Sequence, residues 1–195
     1  MTGTRTYRMG ARATSVEATR RRIVQATVAL HEEEFSDLIT LEDIAAAAGV
    51  TVPTVLRHFG SKDQLLWAAV DLTESEVREQ RWQAPVGDIA GAVDNLLDHY
   101  EERGTTVLRL LAQEERVPQL RSMLDRGRAA HREWVERTFA PLLPRTDRDL
   151  AVTKLVVICD VYVWKLLVVD AQHDRTATHQ LLVEMIEDVL RRGTT

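Results

Sequence analysis

The chain has 195 residues, of which 45% are hydrophobic, and its formal net charge at pH 7 is −5. A chain of this length can form one large or two small domains, and its apolar content is ordinary for a protein with a hydrophobic core. Cys159 is the only cysteine, which excludes a scaffold held by intrachain disulfides. The first 30 residues carry repeated arginines and no apolar segment, so the sequence predicts no signal peptide and we expect a cytoplasmic protein.

The charge is distributed unevenly along the chain. Residues 1–70 contain eight Lys/Arg and eight Asp/Glu, whereas residues 71–195 contain seventeen and twenty-two and so carry the whole net charge of −5. Residues 1–22 contain six arginines and a single acid, Glu17. This concentration of positive charge favours contacts with phosphate groups at the amino end. The alternative is a solvated basic tail without a partner.

Residues 1–13 are rich in Arg, Thr and Gly, and this composition predicts a disordered basic arm. Three arginines of the arm could follow the minor groove or the backbone of DNA, namely Arg5, Arg8 and Arg12. Thr14 and Glu17 have the spacing of a capping box, which predicts a first helix from there to about Glu34. Its apolar side chains recur at helical spacing and are expected to pack on the helices that follow.

Two short helices are predicted between Thr40 and Gly60. The hydroxyl of Thr40 can accept a free amide at the start of the first, residues 41–48, and Gly49 ends it. Pro53 falls in the first turn of the second helix, where its missing amide has no cost. Two short helices joined by a turn with glycine form a helix-turn-helix, whose second helix can enter the major groove of DNA.

The rest of the chain is also predicted to be helical. Six helices are expected, at about 61–82, 89–104, 107–111, 118–138, 149–170 and 174–192. The first of these continues from the helix-turn-helix without a flexible linker, so movement of one end would move the other. The helix at 149–170 is apolar nearly all round, which indicates burial on more than one side. Its charged residues keep every apolar run shorter than the roughly 18 residues that a membrane span needs.

Residues 40–66, TLEDIAAAAGVTVPTVLRHFGSKDQLL, closely resemble the tetracycline-repressor (TetR) family of transcription regulators, above all in DIAAAAGV and HFGSKDQLL. The resemblance is specific over residues 16–67. It implies an all-α, nine-helix architecture, with a helix-turn-helix DNA-binding domain at 14–60 and a six-helix ligand-binding and dimerisation domain at 61–195. In that family the last two long helices pair with their symmetry mates in a homodimer. The large apolar surface of the helix at 149–170 favours the same assembly here.

The resemblance also implies which residues meet DNA. They are Thr40 and Thr51 as caps beside phosphates, Thr54 and Arg57 at the groove, His58 and Lys62 at the DNA backbone, and, in the same recognition helix, Val52, Pro53 and Leu56. At Val52, Pro53 and Leu56 the family usually has Lys, Gly and Tyr, so two phosphate contacts are lost. We expect Arg57 to replace them, because a guanidinium can donate two hydrogen bonds to a phosphate or a guanine.

The departures from the family pattern leave alternatives open. Val52 and Pro53 could contact the methyl groups of thymine, which are the apolar feature of the major groove. Leu56 could instead be a core residue that faces inward together with Val55.

Polar and aromatic residues among apolar neighbours are the candidates for a small-molecule site in the second domain. They are His99, Arg109, His131, Trp134, Asp160, Tyr162, Trp164 and Lys165. In the resembled family the ligand pockets lie between the middle helices. Each of these residues taken alone is more simply a satisfied core residue, and Asp160 could pair with a cation.

No catalytic pattern or cofactor motif is found, and Cys159 in an apolar helix is expected to be inert. The sequence therefore predicts a homodimeric transcription repressor rather than an enzyme, bound to a near-palindromic double-stranded operator and released by a small-molecule effector. One alternative is an all-α ligand-binding protein or enzyme with a vestigial helix-turn-helix. Another is an interaction protein whose basic end contacts a membrane or an acidic partner, although the arginines lack a paired apolar face.

Overall fold

The computed structural model describes residues 3–35 and 37–192. Over these residues the chain forms nine α-helices and one π-helical segment, without a strand. The α-helices are α1 Gly3–Glu33, α2 Leu41–Ala47, α3 Val52–Phe59, α4 Lys62–Arg81, α5 Ile89–Leu111, α6 Pro118–Thr138, α7 Arg148–Ile158, α8 Val161–Trp164 and α9 Arg175–Arg192, and the π-helical segment is Lys165–Asp170. The all-α architecture predicted from the sequence is confirmed. None of the helices in these two ranges is long and apolar enough to cross a membrane.

The chain divides into two compact units, and the division falls inside α4. The first unit ends at Thr73 and the second begins at Glu74. The sequence places the boundary earlier, between residues 60 and 61, because the family pattern ends a domain where the helix-turn-helix ends. The structure differs because the first turns of α4 complete the core of the first unit. The buried residues of this core are Ile23, Val24, Ile39, Ile44, Ala45, Ala48, Val55, Phe59, Leu65 and Ala69.

The amino end requires a correction, because α1 begins at Gly3 and not at Thr14. The arm predicted to be disordered over residues 1–13 is therefore helical from residue 3, while Met1 and Thr2 lie outside the described residues. Thr14 consequently lies inside a helix and does not cap one. Alanine and arginine are good helix formers, and adding a residue to an existing helix costs much less than starting a new one.

Local hydrogen bonds set the ends of α2. Thr40 and Asp43 form the capping box: the Asp43 amide donates to the Thr40 hydroxyl at 3.1 Å, and the Thr40 amide donates to the Asp43 carboxylate at 2.8 Å. At the other end Gly49 has a φ of +64°. The amides of Gly49 and Val50 then donate back to the carbonyls of Ala46 and Ala45 at 3.1 and 2.9 Å, as in a Schellman motif. This motif makes the turn of the helix-turn-helix.

We expect Gly49→Ala to lower the free energy of unfolding of the first unit by about 1 kcal/mol, because a Cβ is strained at positive φ even though it would meet nothing within 4 Å. Gly127→Ala is the matched control. Gly127 lies in the middle of α6, where an added Cβ also meets nothing, so this change should stabilise the chain by about 0.5–1 kcal/mol. Unfolding in urea measures the change in the free energy of unfolding for each variant. Equal changes of the same sign would contradict the turn assignment.

The second unit packs α5 and α6 with α7, α8 and α9. The largest fully buried side chains of its apolar core are Leu96, Leu97, Trp134, Phe139, Leu155, Leu182 and Ile186. The predicted fifth and sixth helices are one helix, α5, which continues through Gly104. A Cβ at Gly104 would lie 2.7 Å from the indole ring of Trp164. Glycine here makes room for a tryptophan from a distant part of the chain and does not end a helix.

The long helix predicted at 149–170 is interrupted after Ile158. Asp160 starts the short α8 by accepting the Tyr162 amide at 2.9 Å, and the π-helical segment follows directly. Within that segment the Lys165 ammonium pairs with the Asp170 carboxylate at 2.7 Å. The charged residues that interrupt the apolar run therefore mark the interruption of the helix.

Candidate functional site

Helix α3 has one buried and one exposed face. Val55 and Phe59 belong to the buried core of the first unit, and Val52 packs against that core while half-buried. Pro53, Leu56 and Arg57 are exposed. Because residues three and four positions apart lie on one side of a helix, these three form a single outward face. We call Pro53, Leu56 and Arg57 the reading face.

Leu56 faces solvent, with 39% of its surface exposed, whereas Val55 is fully buried. The alternative that Leu56 is a core residue facing inward with Val55 is therefore wrong. Successive residues of a helix are about 100° apart, so two adjacent side chains seldom share a narrow buried face. The exposed leucine leaves an apolar group next to a guanidinium on the reading face.

Arg57 makes no ion pair or hydrogen bond with any side chain that the structure describes. It is exposed on the last full turn of α3. Nothing in this part of the chain therefore has to be broken before its guanidinium donates to a phosphate or to the edge of a guanine.

The predicted caps behave differently from one another. Thr40 is exposed and caps α2, as described above. Thr51 stands at the start of α3 but makes no side-chain cap; its hydroxyl lies 3.1 Å from that of the half-buried Thr54. The Thr40 hydroxyl already donates its proton to the Asp43 carboxylate at 2.6 Å, whereas in the Thr51–Thr54 pair only one hydroxyl donates to the other, so one proton is left for a phosphate.

His58 and Lys62 are engaged within the first unit. The Lys62 ammonium donates to the carbonyl of Ile39, just before the α2 cap, and so connects the start of α4 to the start of α2. The His58 carbonyl accepts from Arg20 at 3.4 Å, and the Arg20 guanidinium also lies 4.4 Å from the centre of the Phe59 ring. Sequence reasoning did not identify this packing role of Arg20.

The three arginines of the predicted arm, Arg5, Arg8 and Arg12, lie in the amino-terminal part of α1. Their side chains lie outside what the structure describes, so their contacts with DNA remain a prediction.

In the second unit the structure brings several predicted effector residues together around one residue that the sequence reasoning missed, Arg81. We call the group the Arg81 cluster; it consists of Arg81, His99, Tyr100, His131, Trp134 and Trp164. Arg81 is the last residue of α4 and is only 5% exposed. Its guanidinium lies 3.9 Å from the centre of the Trp134 ring and 6.0 Å from that of Tyr100. The Trp134 indole NH donates to the Arg81 carbonyl at 2.9 Å.

Hydrogen bonds indicate which ring nitrogen of His131 carries the proton. Arg81 can only donate, so the Nδ1 atom of His131, 3.4 Å from Arg81 Nη2, is the acceptor. The proton is then on Nε2, which donates to the carbonyl of Val156 at 3.1 Å. Burial and the neighbouring Arg81 charge lower the pKa of His131 from its ordinary value. The ring is therefore neutral at pH 7.

His99, Tyr100 and Cys159 are also uncharged at pH 7. Burial, with the Arg81 charge as a second cause, lowers the pKa of His99 to about 3. Burial raises the pKa of the Tyr100 phenol, whose OH donates to the Cys159 carbonyl at 2.8 Å. Burial also raises the pKa of the Cys159 thiol to about 12, consistent with an inert cysteine.

Four predicted effector residues do not join the Arg81 cluster. Tyr162 is exposed, and Lys165 pairs with Asp170. Asp160 is half-buried and caps α8. Arg109 is half-buried in the last turn of α5, where its carbonyl accepts the Gln113 side-chain amide at 2.8 Å.

Comparison with known proteins supports the assignment of the first unit. Residues 23–69 match the family model described as bacterial regulatory proteins, tetR family. This match contains α2, α3 and the turn between them, together with the last turns of α1 and the first turns of α4. No curated protein is significantly similar to the chain in sequence.

Solved structures match the fold over most of the chain. A transcriptional regulator from Rhodococcus sp. Rha1 is 15% identical with a TM-score of 0.71, covering 90% of this chain and 98% of its own. A TetR-family transcriptional regulator from Streptomyces coelicolor is 22% identical with a TM-score of 0.69, covering 100% of this chain and 98% of its own. The multidrug binding protein EbrR, complexed with imidazole, is 20% identical with a TM-score of 0.61, covering 86% of this chain and 89% of its own.

Proposed function

We propose, since the chain belongs to the tetR family of bacterial regulatory proteins, that it is a homodimeric repressor that binds a near-palindromic operator and is released by a small molecule. The observation that carries the proposal is the reading face of α3. It presents outward two apolar side chains and a guanidinium that has no partner among the described side chains, from a helix whose other face packs in the core. This arrangement suits a helix that enters the major groove.

Contacts with DNA would divide between the two kinds of group on this surface. Arg57 supplies the charged donor for a guanine or a phosphate, and Pro53 and Leu56 supply apolar contacts to thymine methyl groups. Thr51, at the start of α3, supplies a neutral donor to a phosphate. The positive charge at the amino end of α1 adds attraction that does not depend on sequence.

Release by an effector follows from the differential affinity of a ligand for two arrangements of the protein. Helix α4 carries the coupling, because it begins at Lys62 in the first unit and ends at Arg81 in the second. The multidrug binding protein with a similar fold is complexed with a small molecule, which supports a ligand-responsive second unit.

A homodimer is supported by apolar surface that remains exposed on α7, α8 and the π-helical segment. The exposed side chains are Leu150, Val157, Tyr162, Leu166 and Val169, and α9 adds Met185. Exposed apolar side chains that recur along consecutive helices are typical of a subunit interface. The predicted interface through the last two long helices thus lies mainly on the first of them in this chain.

Val157→Glu is expected to convert the dimer to a monomer, because Val157 is a 59% exposed apolar residue of α7 and a carboxylate buried in an interface is costly. Light scattering after size exclusion measures the mass. Val86→Glu is the matched control, since Val86 is 49% exposed outside these helices and its replacement should leave the dimer intact. A dimer that persists in Val157→Glu with unchanged affinity would contradict this interface.

Gel-shift titration with the DNA that flanks the protein's own gene tests the proposed function. The protein should bind this DNA at moderate salt far more tightly than a shuffled duplex of the same length, because specific sites typically exceed non-specific ones by a factor of about 10³ or more. Equal affinity for the two duplexes would contradict the proposed function.

A further inference from the structure

Arg81 is a buried cation without an anionic partner among the described residues. Two arginines of the second unit show the usual arrangement, since Arg103 pairs with Glu76 at 3.2 Å and Arg175 with Asp98 at 2.7 Å. Arg81 is more deeply buried than either and instead contacts rings and a neutral imidazole. Charged groups are almost never fully buried unless they are paired, so this one requires an explanation.

The surroundings compensate the Arg81 charge only in part. The Trp134 ring and the carboxyl end of α4 both favour a cation. Their combined attraction is smaller than the cost of removing an ion from water. His99, Tyr100 and His131 are neutral at pH 7 for the reasons given above, so the cluster as a whole carries a positive charge.

A second buried donor of the cluster lacks an acceptor among the described residues. The indole NH of Trp164 is buried and makes no hydrogen bond within the described residues. The Trp164 and Tyr100 rings lie 5.9 Å apart, and the Arg81 guanidinium lies 6.0 Å from the same Tyr100 ring. The Arg81 guanidinium and the Trp164 indole NH are therefore both buried near one tyrosine ring. Among the described residues Arg81 has a neutral acceptor in His131 but no carboxylate, and the indole NH has no acceptor at all.

We propose that the Arg81 cluster binds the carboxylate of a small effector whose remaining part is aromatic or otherwise apolar. The carboxylate would accept two hydrogen bonds from Arg81 and a further one from Trp164, and the rings of Trp134, Tyr100 and Trp164 would contact the apolar part. The inference rests on the proposed function, because it names the chemistry of the effector that the regulator responds to.

The position of Arg81 gives such a ligand a direct effect on α4. An anion that pairs with the last residue of α4 acts on the helix that begins at Lys62. Trp164 would have to move for the ligand to enter, and it belongs to the four-residue α8, between the break at Cys159 and Asp160 and the π-helical segment. Interruptions of this kind are frequent at functional sites.

The test compares acids with their uncharged analogues on the full chain. The probes are benzoate, phenylacetate and 1-naphthoate, each paired with its primary amide, and binding is followed by calorimetry and by the shift in thermal unfolding. At least one acid should bind about 100-fold or more tightly than its amide, because an amide leaves the buried guanidinium without a counter-charge. Equal affinity for acids and amides, or no binding of any acid at millimolar concentration, would overturn the proposal.

Variants then assign the acid preference to the cluster. Arg81→Gln should abolish the preference, while Arg132→Gln should retain it, since Arg132 is an exposed arginine on α6 that pairs with Glu136. Trp164→Phe keeps a ring but loses the indole NH. It should reduce the affinity for the acids several-fold without changing the affinity for the amides. This variant keeps the test decisive if Arg81→Gln does not fold. Unchanged acid binding in Trp164→Phe or Arg81→Gln would contradict the site.

Adding the acids to a complex with DNA separates this inference from the proposed function. Release of DNA by an acid but not by its amide supports both. An acid that binds at the cluster and leaves DNA affinity unchanged overturns the effector role. A ligand-free protein that binds no specific DNA overturns the regulator, whereas the acid preference of the cluster would stand.

Discussion

Arg57→Ala is expected to reduce operator affinity at least about 30-fold, because a dimer loses one guanidinium contact in each half-site and each is worth about 1–3 kcal/mol. Arg57 is exposed on the reading face and has no partner to lose among the described side chains, so the fold and the dimer should persist. Fluorescence anisotropy with a labelled operator duplex measures the affinity, and circular dichroism checks the fold.

The matched control for Arg57 is Arg132→Ala. This exposed arginine of α6 carries the same charge but lies in the second unit, so its removal should leave operator affinity within a factor of about two. The salt dependence of Arg57→Ala distinguishes two kinds of contact. Loss of a phosphate contact lowers the slope of the logarithm of the binding constant against the logarithm of the salt concentration by about one, and it reduces the affinity for all duplexes alike. Loss of a base contact reduces the preference for the operator over other sequences. Unchanged affinity would show that Arg57 is not the contact residue.

Trp134→Ala is expected to lower the free energy of unfolding of the second unit by about 3–5 kcal/mol. The Trp134 side chain is only 1% exposed, packs edge-on against Phe139 with ring centres 5.9 Å apart, and covers the Arg81 guanidinium. Its removal leaves a large cavity and also exposes a buried cation to an environment with fewer compensating contacts. Unfolding in urea, followed by circular dichroism, measures the loss.

Trp134→Phe separates packing from hydrogen bonding at the same position. It keeps an aromatic ring but loses the indole NH that donates to the Arg81 carbonyl, so a smaller loss of about 1–2 kcal/mol is expected. Losses of the same size in the two variants would show that the hydrogen bond matters more than the packing. A loss below about 1 kcal/mol in Trp134→Ala would contradict the role of this residue in the core.

The helix-turn-helix was predictable because its signals are local. The Thr40 cap and the Gly49 turn lie within a few residues of the bonds they make, and the structure has both. The direction of Leu56 was not predictable from composition, since Val55 and Leu56 are adjacent apolar residues and only the packing of α3 on α1 and α4 decides which is buried.

Contacts between distant parts of the chain account for the other differences. Gly104 looks like a helix end in sequence, but it accommodates Trp164, sixty residues later in the chain. Arg81 looks like a surface residue at the polar end of a helix, and its burial results from the packing of α4 against Trp134 and Tyr100. His131, Trp134 and Trp164 were identified as candidates, yet nothing local indicated the cation that they surround.

Hydroxyl-radical footprinting of the flanking DNA with the ligand-free dimer tests the central claim most directly. Two symmetric helix-turn-helix units should protect two patches of equal size on one face of the duplex, with their centres about one helical turn or a whole multiple of it apart. The two patches should be lost together in Arg57→Ala. A single patch, or uniform protection along the duplex, would contradict a dimer that reads two half-sites through α3.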